Sequence, residues 1–205
     1  MNLARFEPLF VRIPRGLMSR LRLFAYKCLG LKAGTQNRLE SIRCRRLAQI
    51  QLGQNNSLTD GCRLWPEDTP FDGIRISIGS NNYFNRNVML DACGRIEIGD
   101  SNMFGPDIYI TDSNHTAGPG VKPGNEPMQV GRVRIGNSCW IGAKAVILKD
   151  VELGDHCVVG AGAVVTKSFP AGSVIVGVPA RCIGDASSVA SSVLENNLFK
   201  RADSC

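Results

Sequence analysis

The sequence predicts an all-β fold, a parallel β-helix in which short strands and corners wind into stacked coils. Three observations carry this. Residues 135–170 divide without a gap into six hexads, IGNSCW, IGAKAV, ILKDVE, LGDHCV, VGAGAV and VTKSFP. Within that block residues 18 apart are alike: Ile135 and Leu153, Ile141 and Val159, Cys139 and Cys157, Ala145 and Ala163. Composition agrees, because 22 glycines and 6% aromatic residues in a chain of 205 suit many tight corners and small inward side chains. A six-residue period is neither helical nor a simple alternation. It describes a short strand followed by a corner, and three such faces close one coil of about 18 residues.

The elements follow in chain order. Pro14 is placed to start a helix running to Gly30, with Leu17, Leu21, Phe24, Cys28 and Leu31 at alternating spacings of four and three on one face, and Arg15, Arg20, Arg22 and Lys27 mostly elsewhere. Residues 1–50 hold 11 of the 24 Lys and Arg but 2 of the 18 Asp and Glu, so the net charge of +6 is concentrated at this end. A basic amphipathic helix over 14–31 fits an anionic membrane surface, or packing against the coils or a neighbouring subunit; the sequence leaves both open. The repeat first shows at Leu52 (LGQNNS, LTDGCR), is interrupted by WPEDTPFDG, an irregular excursion, and returns at Ile78 (IGSNNY, FNRNVM, LDACGR) and Ile98 (IGDSNM, FGPDIY, ITDSNH). The two-residue slip between the last two blocks implies an enlarged corner. After His115 the hexads vanish, and TAGPGVKPGNEPMQVGR predicts a projecting loop at about 116–132. About five coils result. The expected organisation is a basic helical segment at 1–50, a β-helix domain at 51–184 and a frayed or short helical tail at 185–205.

Several classes are excluded by what is scarce. Eight cysteines without a C-x-x-C pair, beside two histidines, do not make a Cys/His zinc site, and reduced thiols in a cytosolic protein are expected. No apolar run approaches the roughly 18 residues that span a bilayer, and no signal-peptide pattern opens the chain, so export is not expected. The basic segment lacks the interleaved aromatics of a nucleic-acid module, and no nucleic-acid partner is expected.

Four stretches carry a family likeness: YFNRNVMLDAC (83–93), ITDSNH (110–115), CWIGAKAVILKDVELGDHCVVGAGAVVTKSFPAGS (139–173) and VGVPAR (176–181). From Ile78 to about Ile183 the chain resembles the hexapeptide-repeat acyltransferases, above all the maltose/galactoside and surface-polysaccharide O-acetyltransferase branch. The resemblance implies a left-handed β-helix, an exception to the right-handed crossover rule. It also implies a homotrimer with acetyl-CoA, the acyl donor, in the groove between two prisms.

The same resemblance assigns residues. His115, at the end of ITDSNH, falls where the family carries its catalytic histidine; an imidazole suits the task because it takes up a proton near neutral pH. Asn85, Asp91 and Asn114 fall among the groups that hold an acceptor sugar, although Asn and Asp are also the residues that tight corners favour. The backbone N–H of Ala143 is the expected oxyanion donor, with Trp140 as groove wall. Lys167 and Arg181 are anion partners for the CoA phosphates, while Ala161 and Thr166 let the pantetheine arm approach the backbone. His156 sits at the fourth position of its hexad on an outward corner and is assigned no role. Metal catalysis, as in the carbonic-anhydrase branch of this fold, needs about three histidines, so no metal is expected. Cys139 and Cys157 occupy the inward fifth position, which argues against a covalent cysteine intermediate. The expected function is acetyl-CoA-dependent O-acetylation of a sugar hydroxyl, in a surface polysaccharide or its precursor, in the cytoplasm or at the inner face of the membrane. The same chemistry on an antibiotic, serine or an amino sugar, and a non-catalytic β-helix scaffold, are the alternatives.

Overall fold

A computed structural model describes residues 13–187; the tail expectation beyond 187 lies outside the described residues. Three parallel ladders form the walls of a prism. The first face stacks Lys32–Ala33, Ile50–Leu52, Ile76–Ile78, Arg95–Ile98, Arg132–Ile135 and Glu152–Leu153. The second runs from Arg38–Leu39 through Ser57–Leu58, Tyr83–Phe84, Met103–Phe104, Trp140–Ile141 and Val158–Val159 to Ser173–Val176, closed by antiparallel Arg181–Asp185. The third stacks Arg43–Cys44, Arg63–Pro66, Met89–Ala92, Tyr109–Thr111, Val146–Ile147 and Val164–Val165. The 18-residue likenesses become direct neighbours: Ile135 pairs with Leu153, Ile141 with Val159 and Ile147 with Val165.

The hexad explains burial. First positions point inward, and those from Ile78 to Val165 are buried, with Phe84 and Phe104 stacked at 4.4 Å between ring centroids. Fourth positions take the left-handed backbone conformation that turns the corner, at Asn81, Asn87, Ser101, Asp107, Ser138, Lys144, Asp150 and His156. Asn, Asp and Ser there are chosen by backbone geometry. His156 is one of these corner residues, its N–H bonded to the Asn137 carbonyl at 2.8 Å.

Two expectations are corrected. The coils begin at Lys32, inside the segment 1–50 assigned to a helix, and each face has six parallel rungs or more where about five coils were expected. The first coil escapes the hexad pattern because Ala33-Gly34 stands where later coils have an aliphatic residue before glycine, and because a helix, not another coil, covers its outer edge.

That helix, α1 (Ile13–Cys28), caps the open end of the solenoid. An uncapped terminal coil would leave a row of unpaired backbone groups. Here Ser19 Oγ accepts the Leu39 N–H at 2.7 Å, the Arg22 guanidinium donates to the carbonyls of Leu39 and Glu40, and Leu23 and Tyr26 pack on the core. The helix ends in a Schellman motif, with Gly30 at φ 104°, Gly30 N–H to Lys27 at 3.0 Å and Leu31 N–H to Tyr26 at 2.9 Å. Leu31 then turns into the core, away from the stripe the spacing assigned it to.

At the fifth position of the early coils the interior is polar. Asn37, Asn56, Asn82 and Asn102 are buried in a column in which each Oδ1 accepts the backbone N–H one coil on: Asn56 (2.9 Å), Asn82 (2.9 Å), Asn102 (2.8 Å) and finally Cys139 (2.7 Å). Asn82→Ala removes an acceptor and the donor to Gly99 (2.9 Å), and is expected to cost on the order of 3 kcal/mol. Urea unfolding checks this, and an unshifted midpoint would show that the column is dispensable.

Candidate active site

The third corner, where the third face turns into the next coil, is built around Asp112. This residue is fully buried and turns the chain out of the prism. Its carboxylate accepts the N–H groups of Cys93 (2.8 Å) and Gly94 (3.0 Å) from the coil before, and its carbonyl accepts Gly131 N–H (2.8 Å), where the loop returns. One residue thus ties both ends of the excursion to the coil beneath. Burial pushes its carboxyl up to about 6, against the pull of those two N–H groups.

Arg75 grips the same Cys93–Gly94 turn from the other side. It too is fully buried, donates to the Cys93 carbonyl and to Thr69 O (2.6 Å) and Oγ1 (2.8 Å), and lies 4.5 Å over the Phe71 ring. This anchors the WPEDTPFDG excursion, and Asp112 and Glu67 are the acidic groups that act on its charge.

Beyond Asp112 the chain runs out as Ser113–Asn114, paired antiparallel with Gln129–Val130, so the loop expected at 116–132 has a two-rung neck. His115 is the first residue past that neck. Both Asn114 and His115 are exposed. Asp91 lies one coil back at this corner, half-buried, pairing with Thr111. Its Oδ2 accepts the Tyr109 hydroxyl at 2.7 Å, and burial together with that bond lifts the phenol to about 12. Further along the same corner stand Thr166 and Lys167, both exposed, with Lys167 Nζ 5.6 Å above the Phe169 ring.

The second corner, between the second and third faces, collects a different set. Asn85 lies here rather than beside Asp91, its Oδ1 accepting the Arg86 N–H at 2.8 Å as corner chemistry requires. In the coils above it come Gly142–Ala143 and Gly160–Ala161. A Cβ on Gly105 would fall 2.7 Å from Ala143 N, and one on Gly142 2.6 Å from Ala161 N, so glycine leaves a bare, closely stacked backbone edge. Among the described residues the N–H groups of Ala143 and Ala161 have no hydrogen-bond partner. The VGVPAR hairpin, with a cis Val178–Pro179 bond, sits over this edge through Val164 N–H to Gly177 (3.0 Å) and Ala180 N–H to Val164 (2.8 Å). Arg181 is exposed there. Trp140, 57% exposed, stands on the second face beside the corner, in register with exposed Met103 and Tyr83.

The residues singled out from sequence therefore fall into two columns. Asp91, Asn114, His115, Thr166 and Lys167 share the third corner; Asn85, Ala143, Ala161 and Arg181, with Trp140, share the second. The third face separates them, a width on the order of 15 Å for five or so extended residues. Thr166 and Lys167, expected beside Ala161, lie across that face from it.

The interior offers no competing chemistry. His156 is on the first corner of its coil, remote from His115, and the seven cysteines among the described residues are free thiols. Cys139 and Cys157 are buried in contact, and the hydrogen bond to Cys157 with burial drives the Cys139 thiol well above its ordinary range. Among the described residues no group of three His, Cys, Asp or Glu could hold a metal ion, and no helix is long and apolar enough to cross a membrane. Tyr109, Asp112 and Arg75 were missed in the sequence. Tyr109 reaches Asp91 along a diagonal, two positions off its rung partner Met89, and only the 20-residue register of these coils would have disclosed it.

The hexapeptide repeats of bacterial transferases, "Bacterial transferase hexapeptide (six repeats)", match residues 132–167. Nodulation protein L of Rhizobium meliloti (strain 1021) is 43% identical over 113 residues, 55% of this chain and 61% of that protein, so the chain spans less than two thirds of this relative. The putative lipopolysaccharide biosynthesis O-acetyl transferase WbbJ of Escherichia coli (strain K12) is 30% identical over 147 residues, 68% of this chain and 73% of that protein. A solved structure of galactoside acetyltransferase in complex with coenzyme A superposes with a TM-score of 0.55 at 25% identity, covering 80% of this chain and 70% of that one. Gapless hexads wound into parallel ladders, and a relative matched along 73% of its own length, lead to one assignment: the chain belongs to the hexapeptide-repeat transferases.

Proposed function

We propose that this protein is an acetyl-CoA-dependent O-acetyltransferase acting on a sugar hydroxyl, and that it works as a homotrimer of left-handed coils. The observation that carries the reading is the division of its site into two columns on opposite edges of one face. A single prism cannot bring His115 to the free Ala143 N–H. A cyclic trimer of parallel prisms sets the third corner of one chain against the second corner of the next, and every groove then receives one copy of each column.

In such a groove the bare edge at Ala143 and Ala161 takes the pantetheine arm, Trp140 walls it, and Arg181, with Lys167 from across the groove, meets the CoA phosphates. Asp91 and Asn114 hold the acceptor, with Asn85 reaching it from the facing chain. His115 takes the proton from the acceptor hydroxyl as its oxygen attacks the thioester carbon. The oxyanion that forms is met by Ala143 N–H, already unpaired and in place. Collapse breaks the C–S bond, and the imidazolium returns the proton to the departing CoA thiolate. The family likeness to WbbJ and to galactoside acetyltransferase supports a saccharide acceptor and acetyl-CoA as donor. Acetyl-CoA as the donor supports a reaction on the cytoplasmic side.

Subunit mixing tests the shared groove. His115→Ala disables one column, and Ala161→Trp blocks the arm on the other. Co-refolding the two inactive variants is expected to restore roughly a quarter of the wild-type sites, since random assembly pairs two intact columns that often. CoA release from acetyl-CoA with a sugar panel reads the result. A mixture as inactive as its parents would place the site within one chain and overturn the reading.

A further inference from the structure

The face of α1 that packs on the prism is not the apolar stripe visible in its sequence. Ser19 is buried, and Arg22, Leu23 and Tyr26 are half-buried against the first coil. Leu17, Leu21, Phe24 and Cys28 fall on the opposite side at 100° per residue. They are exposed: Leu17 57%, Leu21 54% and Phe24 70%. Met18 and Leu29, at 54% and 68%, extend this surface along one flank, while exposed Arg20 and Lys27 line the other. Capping the solenoid requires none of these outward residues, because the backbone groups of the first coil are already met by Ser19 and Arg22.

The charge around the ridge selects its partner. α1 carries Arg15, Arg20, Arg22 and Lys27 and no Asp or Glu. Two copies of such a helix placed ridge to ridge would bring these cations together without a counter-charge. An anionic lipid surface satisfies both features, apolar chains below and phosphates around the rim, and 16 helical residues suit a helix lying in the interface rather than crossing it. We propose that α1 docks the protein on an anionic phospholipid surface, with the Leu17, Leu21, Phe24 and Cys28 ridge entering the headgroup boundary and Arg20 and Lys27 pairing with lipid phosphates.

Because α1 covers the end of the solenoid, its outward ridge points along the coil axis. His115 leaves the fourth coil, three coil spacings of about 4.8 Å from the first, so the groove stands about 25 Å above the lipid plane once the thickness of the helix layer is added.

Sedimentation of the full chain with phospholipid vesicles tests this. The protein is expected to sediment with phosphatidylcholine vesicles containing phosphatidylglycerol, far less with phosphatidylcholine alone, and less as salt rises. Leu21→Ser with Phe24→Ser is expected to abolish binding. Arg20→Gln with Lys27→Gln is expected to weaken it about thirty-fold. Both variants should keep the circular dichroism, particle mass and acetyl-transfer rate of the wild type, since the ridge faces away from the coils. Wild-type protein that stays in the supernatant with both vesicle types overturns the proposal, as do variants that bind like wild type. A fall in particle mass for the serine variant also overturns it, assigning the ridge to a second copy. Transfer to a soluble acceptor is measured separately, so a failure here is distinguishable from a failure of the acetyltransferase reading.

Discussion

Alanine at position 115 is expected to slow acetyl transfer by about 10²–10⁴-fold, with the loss in kcat rather than in the KM for acetyl-CoA. The size follows from the role: a positioned base acts only as the proton moves, and binding of the donor on the second corner does not involve it. His115 is exposed and stands beyond the loop neck, so the variant should unfold at the wild-type temperature and keep its particle mass. Steady-state CoA release gives the rate, and light scattering the mass. A variant that retains most of its kcat would remove the imidazole from the mechanism, whatever the fate of the trimer.

The second large effect is on stability. Asp112→Ala strands two buried N–H groups, at Cys93 and Gly94, and removes one of the acidic groups that act on the buried Arg75. Leaving two buried donors without an acceptor costs about 1–3 kcal/mol each, together a fall on the order of 10 °C in a chain of this size. The pH dependence has a definite sign. The carboxyl is raised from 3.8 to about 6 by burial, so between those values the folded protein keeps a proton that the unfolded chain has lost. The stability linked to this group is fully present below pH 3.8 and is lost as pH rises through about 6. Asp112→Asn cannot titrate. Its deficit relative to wild type should therefore be greatest near pH 4 and shrink by about 3 kcal/mol above pH 6. Denaturant unfolding at the two pH values reads the difference, and a constant gap would mean that Asp112 is ionised throughout.

Much of the fold could be read from the letters because each hexad position has one physical task. An aliphatic first position fills the prism, and a fourth position in the left-handed region favours Asn, Asp, Ser or Gly. The first coil was hidden because Ala33 fills less of a terminal rung that Leu23 and Tyr26 complete from α1. The helix itself was legible, but not its orientation: the packing face is anchored by Ser19 and Arg22, polar residues that serve the backbone of the first coil. His115 and Asp91 could be singled out as candidates because they lie in unbroken hexads. Which corner each residue occupies was not found, because position within a hexad is the same on all three faces, and only counting hexads separates Thr166 and Lys167 from Ala161. The Asp112 and Arg75 grip was invisible for a simpler reason. Their shared partner Cys93 lies 18 or more residues from each of them, and an isolated charge in a sequence passes for a solvated one.

The neck at Ser113–Asn114 and Gln129–Val130 has a consequence for how such a protein can diversify. Coil stacking resumes at Arg132 as if the excursion were absent, since Arg95 to Ile98 pair in unbroken register with Arg132 to Ile135. Changing the length of the excursion alters only the entropy of closing it, and each doubling costs about 0.6 kcal/mol. A lineage can therefore trade one loop for another beside His115 while the inherited coils go on unchanged.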